Sequence, residues 1–264
     1  MNRIDKLFES KHKEILNIYF TAGFPELNQT AEIIKYITEA GVDIIEIGIP
    51  FSDSLADGPT IQQSNEKALT NGMTLKIIFN QLKNIRQSVD IPLLLMGSLN
   101  PIMQFGINEF CKKCSETGID GVIIPDLPFN EFIEDYEKTF DKYGIYNIFL
   151  ITPQTSEERI IKIDAASKGF IYMISSSSTT GAKNKIEKSQ EQYFRKINRL
   201  KLKNPKLIGF GISDNKSYLK ACQFANGVVI GSAFIKALSN SKTNLKTTIN
   251  NFVNEIKNNK LFNC

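Results

Sequence analysis

The chain has 264 residues, 42% hydrophobic and 23% charged, an ordinary composition for a globular protein. A chain this long buries roughly three-quarters of its unfolded surface, so one core suffices without disulfide or metal staples. Its 32 Lys and Arg against 28 Asp and Glu leave a net charge of +4, without the dense basic stripe that a nucleic-acid partner requires.

The opening stretch MNRIDKLFESKHKE is charged and broken by acids, so it does not read as a signal peptide. It carries the single histidine, His12, in a solvated setting between Lys11 and Lys13. With one histidine, Ser-His-Asp and Cys-His nucleophile systems and His-ligated zinc are excluded. Proton chemistry then falls to carboxylates, Lys, Tyr or Cys.

Short, β-branched apolar runs follow along the whole length. They are Ile15–Thr21, Ile44–Ile49, Pro92–Met96, Gly121–Ile124, Asn147–Ile151, Phe170–Ile174, Leu207–Phe210 and Gly227–Ile230. Each is nearly continuously apolar, as strands of a parallel sheet covered on both faces should be. Between them lie stretches with helical spacing. Leu27–Glu39 opens after Pro25 and puts Ala31, Ile34 and Ile37 on one face. Residues 130–143 carry Phe132, Ile133, Tyr136 and Phe140, and a last stripe joins Leu245, Ile249, Phe252, Val253 and Ile256. Such stripes are core packing.

Eight strand–helix alternations, at roughly 33 residues each, predict a single (β/α)₈ TIM barrel domain over residues 1–264. An open doubly wound sheet is the competing arrangement, and it would be unusually long. No run of about 18 apolar residues exists, so no transmembrane helix is expected. The four cysteines are too scattered for a secreted disulfide framework. The expected location is the cytoplasm, or the stroma of an organelle that encodes the protein. Cys111 and Cys114 have the spacing of a redox or zinc half-site but lack a second pair, and read as core cysteines on a helix. No metal ligand set is predicted.

In a barrel the active site lies at the C-terminal ends of the strands. Along Ile44–Ile49, alternation turns Ile45, Ile47 and Ile49 toward the helices and Ile44, Glu46 and Gly48 into the barrel. A carboxyl among core side chains is costly unless paired, hydrogen-bonded or protonated, and burial lifts its pKa toward neutrality. Glu46 is therefore either a general acid/base or a structural carboxylate paired with a cation. Asp57, in the following loop FSDSLADGP, is either its partner at the rim or a turn residue. Asp126, after the fourth strand, either faces the cavity or caps the next helix.

The opposite pole is rich in glycine. GFGISD (209–214) and IGSAF (230–234) follow the seventh and eighth strands, where barrels bind phosphate through backbone N–H groups and a helix N-terminus. Tight turns alone also explain such glycines. The polar stretch Ser175–Lys188 after the sixth strand has the composition of a mobile loop, and its TTGAK lacks the upstream glycine of a P-loop. A carboxylate pair facing an anion site suits isomerisation or reversible aldol cleavage of a small phosphorylated substrate.

The motifs EIGIPFSDSLADGPTIQ (46–62), YFTAGFP (19–25), NPIMQFG (100–106), GIDGVIIPDLP (118–128), GFIYMIS with TTGAK, GFGIS and GVVIGSAFIK resemble the tryptophan synthase α subunit family. They run in family order over essentially the whole chain. The resemblance implies a (β/α)₈ lyase that cleaves indole-3-glycerol phosphate to indole and glyceraldehyde 3-phosphate. It implies no cofactor in this chain, a β-subunit partner that carries pyridoxal phosphate, and an α₂β₂ complex. The general acid/base falls on Glu46 and the second catalytic carboxylate on Asp57. Phosphate contacts fall on Gly181, Gly211, Gly231 and Ser232, and the indole pocket on Tyr19, Ile123, Tyr172 and Phe210. Thr180 matches the loop threonine that meets Asp57.

Three positions depart from the family pattern. Ser54 stands where SDP is usual, which bears on partner affinity because that loop touches the β subunit. Ser98 replaces a tyrosine, and Ser178 replaces a loop glycine, which bears on closure. An isomerase barrel of histidine or tryptophan biosynthesis would share the glycine pole but lack the 46–62 segment. A non-enzymatic allosteric scaffold would bind glycerol phosphate and the partner without releasing indole.

Overall fold

The computed structural model describes residues 1–54, 57–174, 188–209 and 211–258. Eight parallel strands form the barrel wall: β1 Ile15–Thr21, β2 Ile44–Gly48, β3 Leu93–Met96 and β4 Gly121–Ile123. The wall continues with β5, interrupted between Tyr146–Asn147 and Leu150–Ile151, then β6 Ile171–Ile174, β7 Lys206–Gly209 and β8 Gly227–Ile230. The two pieces of β5 close the circle. Gly121 of β4 pairs with Tyr146, and Tyr172 of β6 pairs with Leu150. The ends of the linear strand order are thus two halves of one strand, and the predicted barrel holds over the open sheet.

Alternation along the strands sorts the side chains into two layers. Leu16, Ile18, Phe20, Ile45, Ile47, Leu95, Val122, Met173, Ile208 and Val228 face outward into the layer shared with the helices. Ile15, Tyr19, Ile44, Leu94, Ile123, Ile148, Tyr172, Leu207 and Val229 fill the bore.

Helices Thr30–Glu39 and Leu245–Lys257 bury the predicted stripes at Ile34, Ile37, Ile249, Phe252, Val253 and Ile256, while Ala31 is partly buried. The predicted 130–143 segment is helical from Phe129 to Tyr143, with a wider π turn over Phe132–Tyr136. Phe132 packs edge-on against Phe140, ring centres 5.2 Å apart.

A helix not expected from the sequence, Arg3–Ser10, plugs the N-terminal mouth. Asn2 caps it, and Ile4 and Phe8 enter the bore, Phe8 lying 5.9 Å from the Phe170 ring. Asp120 clamps the same end by binding Arg86 at 2.5 Å, Arg3 at 3.0 Å and the Leu93 amide at 2.9 Å. The C-terminal strand ends form the opposite face of the barrel.

Candidate active site

Glu46 lies on the inner face of β2 and is 0% exposed. Its parallel neighbours are Tyr19 of β1 and Leu94 of β3. No lysine or arginine among the described residues pairs with it. Oε1 accepts a 2.5 Å hydrogen bond from Asn17 Nδ2, and Oε2, also buried, has no partner among the described residues. Burial raises its pKa to about 8, against a smaller opposing pull from the Asn17 hydrogen bond. The group is therefore a neutral acid at pH 7 that loses its proton just above.

Two buried tyrosines stand beside it, each over a glycine. A Cβ on Gly48 would lie 2.2 Å from Tyr19 Oη, and one on Gly209 would lie 2.3 Å from Tyr172 Oη. Glycine is required at both places because the rings occupy the volume any larger residue would fill. Burial raises both phenol pKa values, and Glu46 and Asp57 add to that, so the rings stay protonated. Ile123 joins them in the same inner cluster.

Asp57 is half-buried at the rim, just before the helix Pro59–Thr70. Asn65 of that helix donates to Asp57 Oδ2 at 3.4 Å and to Ser54 Oγ at 3.1 Å. Its Oδ1 accepts from Thr21 Oγ1 at 3.5 Å, tying the loop to the end of β1. Burial lifts the Asp57 pKa, while hydrogen bonds from Ser54 and Asn65 pull it back. Ser54 thus bears on Asp57 as well as on the loop's outer surface.

At the glycine pole, Gly231 precedes the helix Ser232–Ser239, whose first N–H groups receive no side-chain cap. A Cβ on Gly231 would sit 3.1 Å from Tyr19 Cδ1, so this helix start abuts the tyrosine beside Glu46. Gly211 has φ +80°, a left-handed conformation that favours glycine. Asp214 caps the helix Asn215–Cys222 by accepting from Ser217 N at 2.8 Å, so its carboxylate is used there. Thr180, Gly181 and Phe210, with Ser178, lie outside the described residues.

Other candidates resolve simply. Asp126 Oδ1 accepts from Leu99 N at 2.9 Å, so it satisfies the first turn of the helix Leu99–Phe105, two helices back along the chain, rather than the next one. Cys111 and Cys114 are buried on the helix Ile107–Thr117, and His12 is exposed. Among the described residues, no group of three or more His, Cys, Asp or Glu is placed to hold a metal ion. Sequence reasoning missed Asn17 and Asn65. The signal for Asn17 was present: it occupies an inner position of β1, a polar residue between Ile15 and Tyr19.

A family model described as "Tryptophan synthase alpha chain" matches residues 6–261. The chain belongs to the tryptophan synthase alpha chain family. It is 55% identical over 256 residues to the tryptophan synthase alpha chain of Flavobacterium psychrophilum, covering 97% of this chain and 100% of that one. It is 54% identical to that of Bacteroides thetaiotaomicron over 242 residues, 92% of this chain and 94% of the relative. Among solved structures, tryptophan synthase subunit alpha from Legionella pneumophila superposes with a TM-score of 0.87 at 31% identity, covering 97% of each chain. The A-subunit from Pyrococcus furiosus superposes with a TM-score of 0.85 at 33% identity, over 93% of this chain and 98% of that one. Family membership makes the chain a lyase of tryptophan biosynthesis built on a (β/α)₈ barrel.

Proposed function

We propose that the chain cleaves the C–C bond of indole-3-glycerol phosphate, releasing indole and glyceraldehyde 3-phosphate. The observation that carries this reading is Glu46: fully buried, without a cation partner among the described residues, and with a carboxyl pKa raised to about 8. Such a group can give a proton near neutral pH and take it back within one turnover.

In this scheme the Glu46 carboxyl protonates the indole carbon bearing the glycerol chain. Positive charge then resides on the ring nitrogen, whose N–H donates to the Asp57 carboxylate. The Glu46 carboxylate next removes the glycerol hydroxyl proton. The C–C bond electrons return to the ring, the carbonyl of glyceraldehyde 3-phosphate forms, and Glu46 is restored as the acid. Tyr19, Ile123, Tyr172 and Phe210 wall the indole. Gly181, Gly211, Gly231 and Ser232 bind the phosphate through N–H and hydroxyl donors. Thr180 meets Asp57 from the loop after β6.

The reading extends to a β-subunit partner, which carries pyridoxal phosphate, receives the indole and completes an α₂β₂ complex, and to a cytoplasmic location. No cofactor is assigned to this chain. No helix among the described residues is long and apolar enough to cross a membrane.

The test is an indole-release assay with purified chain, with and without added β subunit. Slow release alone and a large gain with the partner are expected. Glu46→Gln is expected to abolish cleavage with the fold retained. An active Glu46→Gln, or turnover of a different phosphorylated substrate only, overturns the assignment.

A further inference from the structure

We propose that Asn17 is a positioning residue for Glu46: its side-chain amide holds Oε1 and leaves Oε2 as the oxygen that exchanges the proton. This rests on Glu46 being the acid/base of the reaction proposed above.

The geometry comes from the strand register. In the parallel β1–β2 pair, Tyr19 lies opposite Glu46 and Asn17 lies opposite Ile44. Asn17 therefore sits one inner position deeper than Tyr19, toward the sealed mouth, and reaches diagonally up to Glu46. It is fully buried and donates through Nδ2 to Oε1 at 2.5 Å. From this depth it acts through Glu46 rather than on substrate. Among the described residues, two buried atoms of the pair lack partners: Glu46 Oε2 and Asn17 Oδ1.

Those two atoms give the pair its logic. A buried acceptor without a donor is unfavourable, so a partner that serves only one protonation state would penalise the other. An amide serves both, the charge-assisted bond to the carboxylate being the stronger. Toward the carboxylate it presents Nδ2 as donor. Turned about its Cβ–Cγ bond, it presents Oδ1 to the O–H of the neutral acid. Oε1 stays engaged in either state, and Oε2 remains for the substrate. The other titratable groups near Glu46 are Tyr19 on β1 and Tyr172 on β6, both held protonated by burial and by the nearby carboxylates, and Asp57 at the rim. β3 presents only Leu94 and Met96 on this side. Asn17 is thus the one neighbour here that donates to the carboxylate, among the described residues.

The experiment is a pH titration of the Glu46 carboxyl by difference infrared spectroscopy on the full chain, with Glu46→Gln assigning the band. It is paired with pH profiles of indole release in the presence of the β subunit. Asn17→Val removes the donor. Asn17→Asp keeps the size but replaces the donor with a second acid. Asn17→Val is expected to move the Glu46 titration upward by about one to two pH units. It should also lower kcat about tenfold or more while KM stays within about twofold. Asn17→Asp is expected to move the titration up as well and to spread it over two coupled steps. Folded variants that titrate within about 0.3 pH unit of the parent overturn the proposal. Should Asn17→Val fail to fold, Asn17→Asp decides alone. If Glu46→Gln still releases indole, the reaction assignment fails, whereas the infrared titration still decides what Asn17 does to Glu46.

Discussion

Tyr172 lies directly over the backbone of Gly209, so closely that a Cβ there would stand 2.3 Å from the phenol oxygen and 2.4 Å from Cε1. Ring and glycine share one volume between β6 and β7. Gly209→Ala should therefore push the ring across the pocket. A cost of about 1–3 kcal/mol in urea unfolding is expected. In a Tyr172→Ala background the same change should cost clearly less, since the ring it strikes is gone. Additive costs in that double-mutant cycle would refute the shared-volume account.

Burial of Glu46 has a signature in stability. Its folded pKa, about 8, lies above the ordinary carboxyl value, so the native state holds a proton that the unfolded chain releases. Stability is then fully present below the unfolded pKa and is lost as pH rises toward about 8. The loss attributable to this group is several kcal/mol at most. Glu46→Gln should lack that slope and should unfold at higher urea than the parent at pH 8 to 9. Parallel stability curves for the two proteins would contradict it.

In the proposed reaction Asp57 must be ionised to accept from the ring N–H. Asn65 donates to it and helps offset the upward pull of burial. Asn65→Ala should raise the Asp57 pKa and bring the acidic limb of the kcat/KM profile to higher pH. The plateau should fall by about tenfold, the effect of one hydrogen bond to a charged group. An unshifted acidic limb would leave Asn65 as a packing residue only.

At the sealed mouth, Asp120 is 4% exposed and joins Arg3, Arg86 and the start of β3. Asp120→Ala leaves both guanidinium groups without this carboxylate and frees the plug helix. It should destabilise the fold by about 3 kcal/mol. Catalysis at the opposite mouth should change little at temperatures where the variant stays folded. Denaturant unfolding and indole release on the same preparation check both halves.

The barrel was legible because its strands are covered on both faces. Continuous apolar runs such as Ile15–Thr21 and Gly227–Ile230 coincide with β1 and β8 at both ends. Period-two alternation put Glu46 in the bore, and the observed layers agree with it. The same alternation, extended to β1, points to Asn17. The plug helix Arg3–Ser10 was obscured by its charge, since only Ile4 and Phe8 are buried on it. Asp126 was left open by the sequence for a different reason: its partner, Leu99, lies 27 positions earlier, on a neighbouring unit of the barrel.

By itself, then, the order of residues determined which segments are strands, which faces of them turn inward, and which carboxyl sits among apolar neighbours. These are local properties, set by spacing and polarity along a few residues. Tertiary structure alone decided that no cation among the described residues pairs with Glu46, that Asn17 donates to it, and that Asn65 links Asp57 to the end of β1. Each depends on distances set when β1, β2 and the helix Pro59–Thr70 pack together. Hydrogen bonding and desolvation are set by those distances, and spacing along the chain does not encode them.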